Sequence, residues 1–64
     1  MQKILMKHGT IIKLAKEMGL NEKTVREALR FVTEGEQPDL IRKKAVLEYG
    51  GIPLDLAKGK VFTL

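Results

Sequence analysis

The sequence has no cysteine and no tryptophan, a single histidine, two prolines and only three aromatic residues, Phe31, Tyr49 and Phe62. Each shortage removes a class of protein. Without cysteine there is neither a disulfide framework nor a thiolate metal site, which fits a reducing, cytoplasmic setting. His8 cannot assemble a metal centre alone, so no metal or other cofactor is expected. One histidine, no thiol and no phosphate-binding glycine loop leave little for acid–base or nucleophilic work, and no enzyme is expected. The KGK at residues 58–60 is not such a loop. No apolar run approaches the roughly 20 residues of a membrane-spanning helix. The opening MQKILMKHG is too short and too interrupted by lysine to be a secretory signal. Three aromatics also give few platforms for stacking RNA bases.

What is present is an ordinary globular composition, 44% hydrophobic and 31% charged, in 64 residues. A chain of this size forms one domain and buries only about 60% of the surface it exposes unfolded, so its core is marginal. Small domains are commonly reinforced by disulfides, metals or a partner subunit. The composition leaves the last, and a homodimer is expected. Net charge is +4, from 12 Lys+Arg against 8 Asp+Glu. That balance attracts polyanions at long range, and is informative only where the charge lies along the path of a phosphate backbone.

Residues 1–7 set apolar Met1, Ile4 and Leu5 against Gln2, Lys3 and Lys7. This fits a short helix, with a strand as the other reading, and Gly9 ends it. Thr10 is suited to cap the next helix. Ile11, Leu14, Ala15 and Met18 then form an amphipathic stripe, and Gly19 stops it. Asn21 caps a further helix with Val25, Ala28, Leu29 and Val32 on its apolar side. TEGEQP at 33–38 is a loop by composition. Pro38 and Asp39 suit the first turn of a third core helix over 38–49. Ile41, Ala45 and Tyr49 share one face of it, while Arg42, Lys43 and Lys44 cluster on another, read as solvated. Gly50 and Gly51 end it. The tail, 52–64, admits a helical turn at 53–58 and a strand at 60–64.

Two short helices joined at a steep angle by a glycine turn form a helix-turn-helix, here over 10–30. Ala15 must be small where the helices approach, Gly19 must turn, and Leu20 and Val25 must fill the inside of the angle. All four positions carry the required residue type. The expected fold is therefore mostly α: a small helical bundle containing a helix-turn-helix, of four helices or three plus a turn. A short C-terminal strand is one reading of the tail.

The stretch TIIKLAKEMGLNEKTVREAL, residues 10–29, resembles the DNA-binding headpiece of the lactose-repressor family. Thr10, Ile11, Leu14, Ala15, Gly19, Leu20, Thr24, Val25, Ala28 and Leu29 match that family's pattern. IRKKA at 41–45 is a fainter echo in the third helix. The resemblance implies double-stranded DNA binding, with the helix after Asn21 in the major groove. It implies base-reading candidates Asn21, Glu22 and Lys23 at the start of that helix. Arg26, Glu27 and Arg30 complete the set, although the family carries Ser-Arg where this chain has Arg26-Glu27. A glutamate can accept from cytosine N4 but is costly beside phosphates. Phosphate candidates are Thr10, Lys13, Thr24, Lys43 and Lys44. The family's large ligand-binding domain has no counterpart in these 64 residues, and no small-molecule effector is expected.

The sequence thus reads as a small dimeric transcriptional repressor or regulator that binds an inverted repeat. A second reading comes from Glu22 and Glu27: a protein-interaction module that keeps the helix-turn-helix scaffold and has lost DNA. Arg26 and Arg30 would then pair with Glu22 and Glu34. His8 is expected at a helix end or surface, Tyr49 in the core with its hydroxyl outward, and Phe31 and Val32 in the core or at a dimer contact.

Overall fold

From Ile4 onward burial alternates residue by residue: Ile4 buried, Leu5 exposed, Met6 half-buried, Lys7 exposed. A period of two belongs to a strand with one face on a core. The computed structural model, which describes residues 2–63, accordingly begins with β1 (Gln2–Leu5) and not the expected short helix. Met1 lies outside the described residues. Then come α1 (His8–Met18), α2 (Glu22–Leu29), α3 (Glu36–Tyr49), β2 (Ile52–Asp55) and β3 (Lys60–Val61). The fold is mostly α, with three helices and a small antiparallel sheet in the order β1-β2-β3.

The sheet joins the two ends of the chain. Ile4 stands opposite Pro53 and Leu5 opposite Ile52, and Leu54 stands opposite Val61. Ile4 and Pro53 face the core, while Leu5 and Ile52 are exposed. The helical turn expected at 53–58 is corrected: residues 53–55 belong to β2, and the turn is confined to 56–59. The strand expected at 60–64 forms over Lys60–Val61, and Phe62 N–H extends its pairing to the Pro53 carbonyl at 2.9 Å. Leu64 lies outside the described residues.

The helix starts also move. Gly9 does not end a segment and Thr10 is not a cap; both lie in the first turn of α1, which begins at His8 after an extended Lys7. Thr10 N–H donates to the Lys7 carbonyl at 3.1 Å. The strand ends at Leu5, so the chain turns earlier than glycine and threonine preferences suggest. A glycine costs only about 1 kcal/mol within a helix. His8 stands exposed at the helix start. The third helix starts at Glu36, with Gly35 before it and Pro38 inside its first turn.

Among the described residues the buried core cluster comprises Ile4, Leu14, Ala15, Val25, Ala28, Leu29, Ile41 and Ala45. Every α1, α2 and α3 member of that set belongs to a stripe legible in the sequence. Tyr49 packs half-buried against them. Val32 does not: it is 65% exposed. The helical period that would bury it ends at Leu29, and Phe31 takes a left-handed φ of 59° that turns the chain away.

Arg42 is the largest departure. Expected on a solvated basic face, it is 5% exposed. Its Nε donates to the Ala28 carbonyl at 2.8 Å and its Nη1 to Asp39 Oδ1 at 3.0 Å. Nη2 donates to the Thr33 carbonyl. The guanidinium plane sits 4.3 Å from the centre of the Phe31 ring, which in turn meets Phe62 at 6.0 Å. Two donors of a rigid fork thus close off the end of α2 and the loop after it, while the third is held by Asp39 of α3 itself.

Replacing Arg42 by alanine leaves two carbonyls without their donor, a loss of about 3 kcal/mol. A domain of this size has roughly 3–10 kcal/mol in total. Urea titration followed by circular dichroism should show R42A largely unfolded or with a much lower midpoint, and R42K no better than partly restored. Gly51 gives a second expectation. A β-carbon there would lie 2.8 Å from Ile4 Cγ2 and 3.1 Å from the Ala45 carbonyl oxygen. Gly51→Ala should lower stability by about 1–3 kcal/mol by the same titration.

Candidate nucleic-acid interface

The corner between α1 and α2 is set by its caps. Gly19 takes φ 67°, ψ 31°, a conformation open to glycine at little cost. Its N–H donates to the Lys16 carbonyl at 3.2 Å, and Leu20 N–H reaches the Ala15 carbonyl at 2.8 Å. These two bonds close a Schellman-type end. Leu20 then packs against the core on the inside of the angle. Two residues after the glycine, Asn21 Oδ1 accepts from Lys23 N–H at 2.8 Å and from Thr24 N–H at 3.4 Å. Helix α2 therefore starts where the sequence placed it, with Glu22 in the first turn and Arg26 in the last, both favourable to the helix dipole.

Helix α2 turns Val25, Ala28 and Leu29 inward. At about 100° per residue, the opposite arc carries Arg26, Arg30, Lys23 and Glu27 in that angular order. Lys23 and Arg30 are exposed; Arg26 and Glu27 are half-buried. Asn21 is exposed at the head of the helix, and Thr24 is half-buried beside it. Neither Arg26 nor Arg30 has a carboxylate within ion-pair distance among the described residues, so the expected pairings with Glu22 and Glu34 are not formed.

On the Arg26 side of this arc runs an open groove of about 600 Å³. Lys3, Lys7, Thr10, Arg26 and Arg30 line it above a floor that includes Ile11, Leu29 and Tyr49, and no aspartate or glutamate contributes. The groove brings together one phosphate candidate and two base-reading candidates from the sequence. It adds Lys3 and Lys7, which were not singled out. No local signal marked them: Gln2-Lys3-Ile4-Leu5 does not alternate in polarity, and only the pairing of β1 with β2 brings this segment to the groove.

Comparison with known protein families, curated proteins and solved structures gives no match.

Other candidates fall elsewhere. Lys13 is exposed on α1 and does not line the groove. Lys43 and Lys44 border a separate depression with Met18, Leu40, Leu47 and Glu48. Lys44 is already held by Glu17 at 3.0 Å and Glu48 at 3.3 Å. Those hydrogen bonds, Glu17 first, raise its pKa above the ordinary lysine value. It is thus charged at neutral pH but compensated within the fold, which counts against it as a phosphate anchor. Among the described residues no group of acidic or histidine side chains is arranged to hold a metal ion, and no helix is long and apolar enough to cross a membrane.

The cap gives a direct expectation. Asn21→Ala frees two backbone donors at the head of α2 and should cost about 1 kcal/mol in a urea titration. Asn21→Asp should restore most of it, since an aspartate oxygen accepts the same bonds.

Proposed function

We propose that this chain binds double-stranded DNA in a sequence-specific manner, with α2 in the major groove, and acts as a small dimeric transcriptional repressor or regulator. The observation that carries this reading is the carboxylate-free groove of Lys3, Lys7, Arg26 and Arg30 running beside the outward arc of a capped helix. A helix with its side chains is about 10–12 Å across and the major groove about 12 Å wide. A basic groove alongside that helix is where a flanking phosphate strand would run. The resemblance of residues 10–29 to the lactose-repressor headpiece points the same way.

The longest dimension of the chain is 33 Å, about one turn of duplex. One protomer offers one such helix, so recognition of an inverted repeat calls for a second copy, with half-site centres about 34 Å apart. Occupancy alone then blocks competing proteins.

The alternative is a protein-interaction module on the same scaffold. It is favoured by Leu40 and Leu47, which lie on α3 with 58% and 80% of their surface exposed. The two readings separate in one titration. Fluorescence anisotropy with random-sequence duplex should give a log–log salt slope of about −3 to −4 per protomer, from four groove cations. The double variant Arg26→Glu, Arg30→Glu should remain folded by circular dichroism and lose binding. Absence of binding at low salt would overturn the DNA reading and favour the interaction module.

A further inference from the structure

Most carboxylates of the helices have a task in the fold. Glu22 sits in the first turn of α2, where the positive helix end favours it. Glu17 and Glu48 hold Lys44, and Asp39 holds Arg42. The carboxylate of Glu27 has none. It lies on the outward arc of α2, half-exposed, with no cation within ion-pair distance among the described residues. Lys23 stands one turn before it on the same arc, at the i, i+4 spacing that brings side chains together. The pair is nevertheless open, and lysine before glutamate is the weaker order for such a pair.

The arc is divided by chemistry. Arg26 and Arg30 line the basic groove, whereas Lys23 and Glu27 do not. If the two arginines engage the phosphate strand in that groove, Lys23 and Glu27 are left to meet the base edges. A carboxylate there is repelled by the duplex unless it accepts a hydrogen bond. The major-groove edge of cytosine offers its N4 amino group for this, while its partner guanine offers O6 and N7 to a lysine. Adenine also has an amino group, but its adjacent N7 is an acceptor that opposes a carboxylate.

We infer that Glu27 is a specificity-determining residue that accepts from cytosine N4, that Lys23 donates to guanine, and that the half-site is therefore built on a C·G pair. This rests on the DNA-binding reading above and assigns roles within it: Lys23 and Glu27 read sequence, and Arg26 and Arg30 anchor phosphates. An acidic side chain in a basic interface then serves selectivity at the expense of non-specific affinity.

The test is selection of duplexes from a random pool with the full chain, repeated with Glu27→Gln, followed by anisotropy on the enriched sequences at fixed salt. A glutamine pairs with adenine N6 and N7 where a glutamate pairs with cytosine. The expected result is an enriched half-site with one position at which cytosine is preferred by about tenfold or more. At that same position E27Q should prefer adenine, while the preferences at other positions stay. E27Q should also bind random duplex more tightly, since a negative charge has gone.

Two results overturn the inference in different ways. If both proteins select the same sequence and E27Q only binds everything more tightly, Glu27 is a repelling charge and not a reader, while DNA binding itself stands. If neither protein retains any duplex at low salt, the DNA-binding reading fails and this inference with it. Circular dichroism of E27Q guards against loss of fold, and the outward position of the side chain leads us to expect none.

Discussion

A single buried guanidinium holds the helical layer in register. Arg42 reaches from α3 to the last turn of α2 through the Ala28 carbonyl, and to the following loop through the Thr33 carbonyl. Both acceptors belong to the stretch where α2 stops and the backbone turns through a left-handed Phe31. An aromatic residue in that region is strained by about 1–3 kcal/mol and persists only when its surroundings hold it. Here the ring packs against both the Arg42 guanidinium and Phe62. A lysine offers a point charge and no planar fork, so it does not substitute for this geometry. The bridge also reaches the tail, because Phe62 is tied back to Pro53 of the sheet.

From that constraint the outward surface follows. The end of α2 is fixed against α3, its head is fixed by Asn21, and its inner face is filled by Val25, Ala28 and Leu29. The orientation of Arg26, Lys23, Glu27 and Arg30 is then set by the helix itself. The sheet supplies the second wall. Because β1 pairs with β2 and carries Ile4 into the core, Lys3 comes to the edge of the same groove as Arg26 and Arg30, which lie more than twenty residues away in sequence. Elsewhere Arg42 and Lys44 are both paired with carboxylates. Of the cations without such a partner, Lys3, Lys7, Arg26 and Arg30 converge on one side of α2.

This sorting matters more than net charge. A total of +4 is compatible with many partners, but a groove with four cations and no anion beside a capped, outward-facing helix suits a polymer of phosphates. The exposed leucines of α3 belong to another part of the surface, away from that groove.

The helix-turn-helix was legible because its determinants are local. Gly19 needs a positive φ, Asn21 needs only its own next three residues, and the stripes of Leu14, Ala15, Val25, Ala28, Leu29, Ile41 and Ala45 repeat at the helical period within each segment. What the sequence could not settle was anything decided by a partner distant along the chain. Residues 2–5 are too short to choose between helix and strand alone; pairing with residues 52–55 chooses. Arg42 stands in a run of three cations that reads as a wet face, and becomes a buried brace because carbonyls freed at the end of α2 and in the following loop lie within its reach. Lys3 and Lys7 gain meaning only when the sheet carries them to α2. Caps and periodicity are interactions within one turn of chain, so the sequence by itself determined them. Strand pairing, the burial of a charge and the assembly of a groove depend on which distant groups meet, and only the tertiary structure decided those.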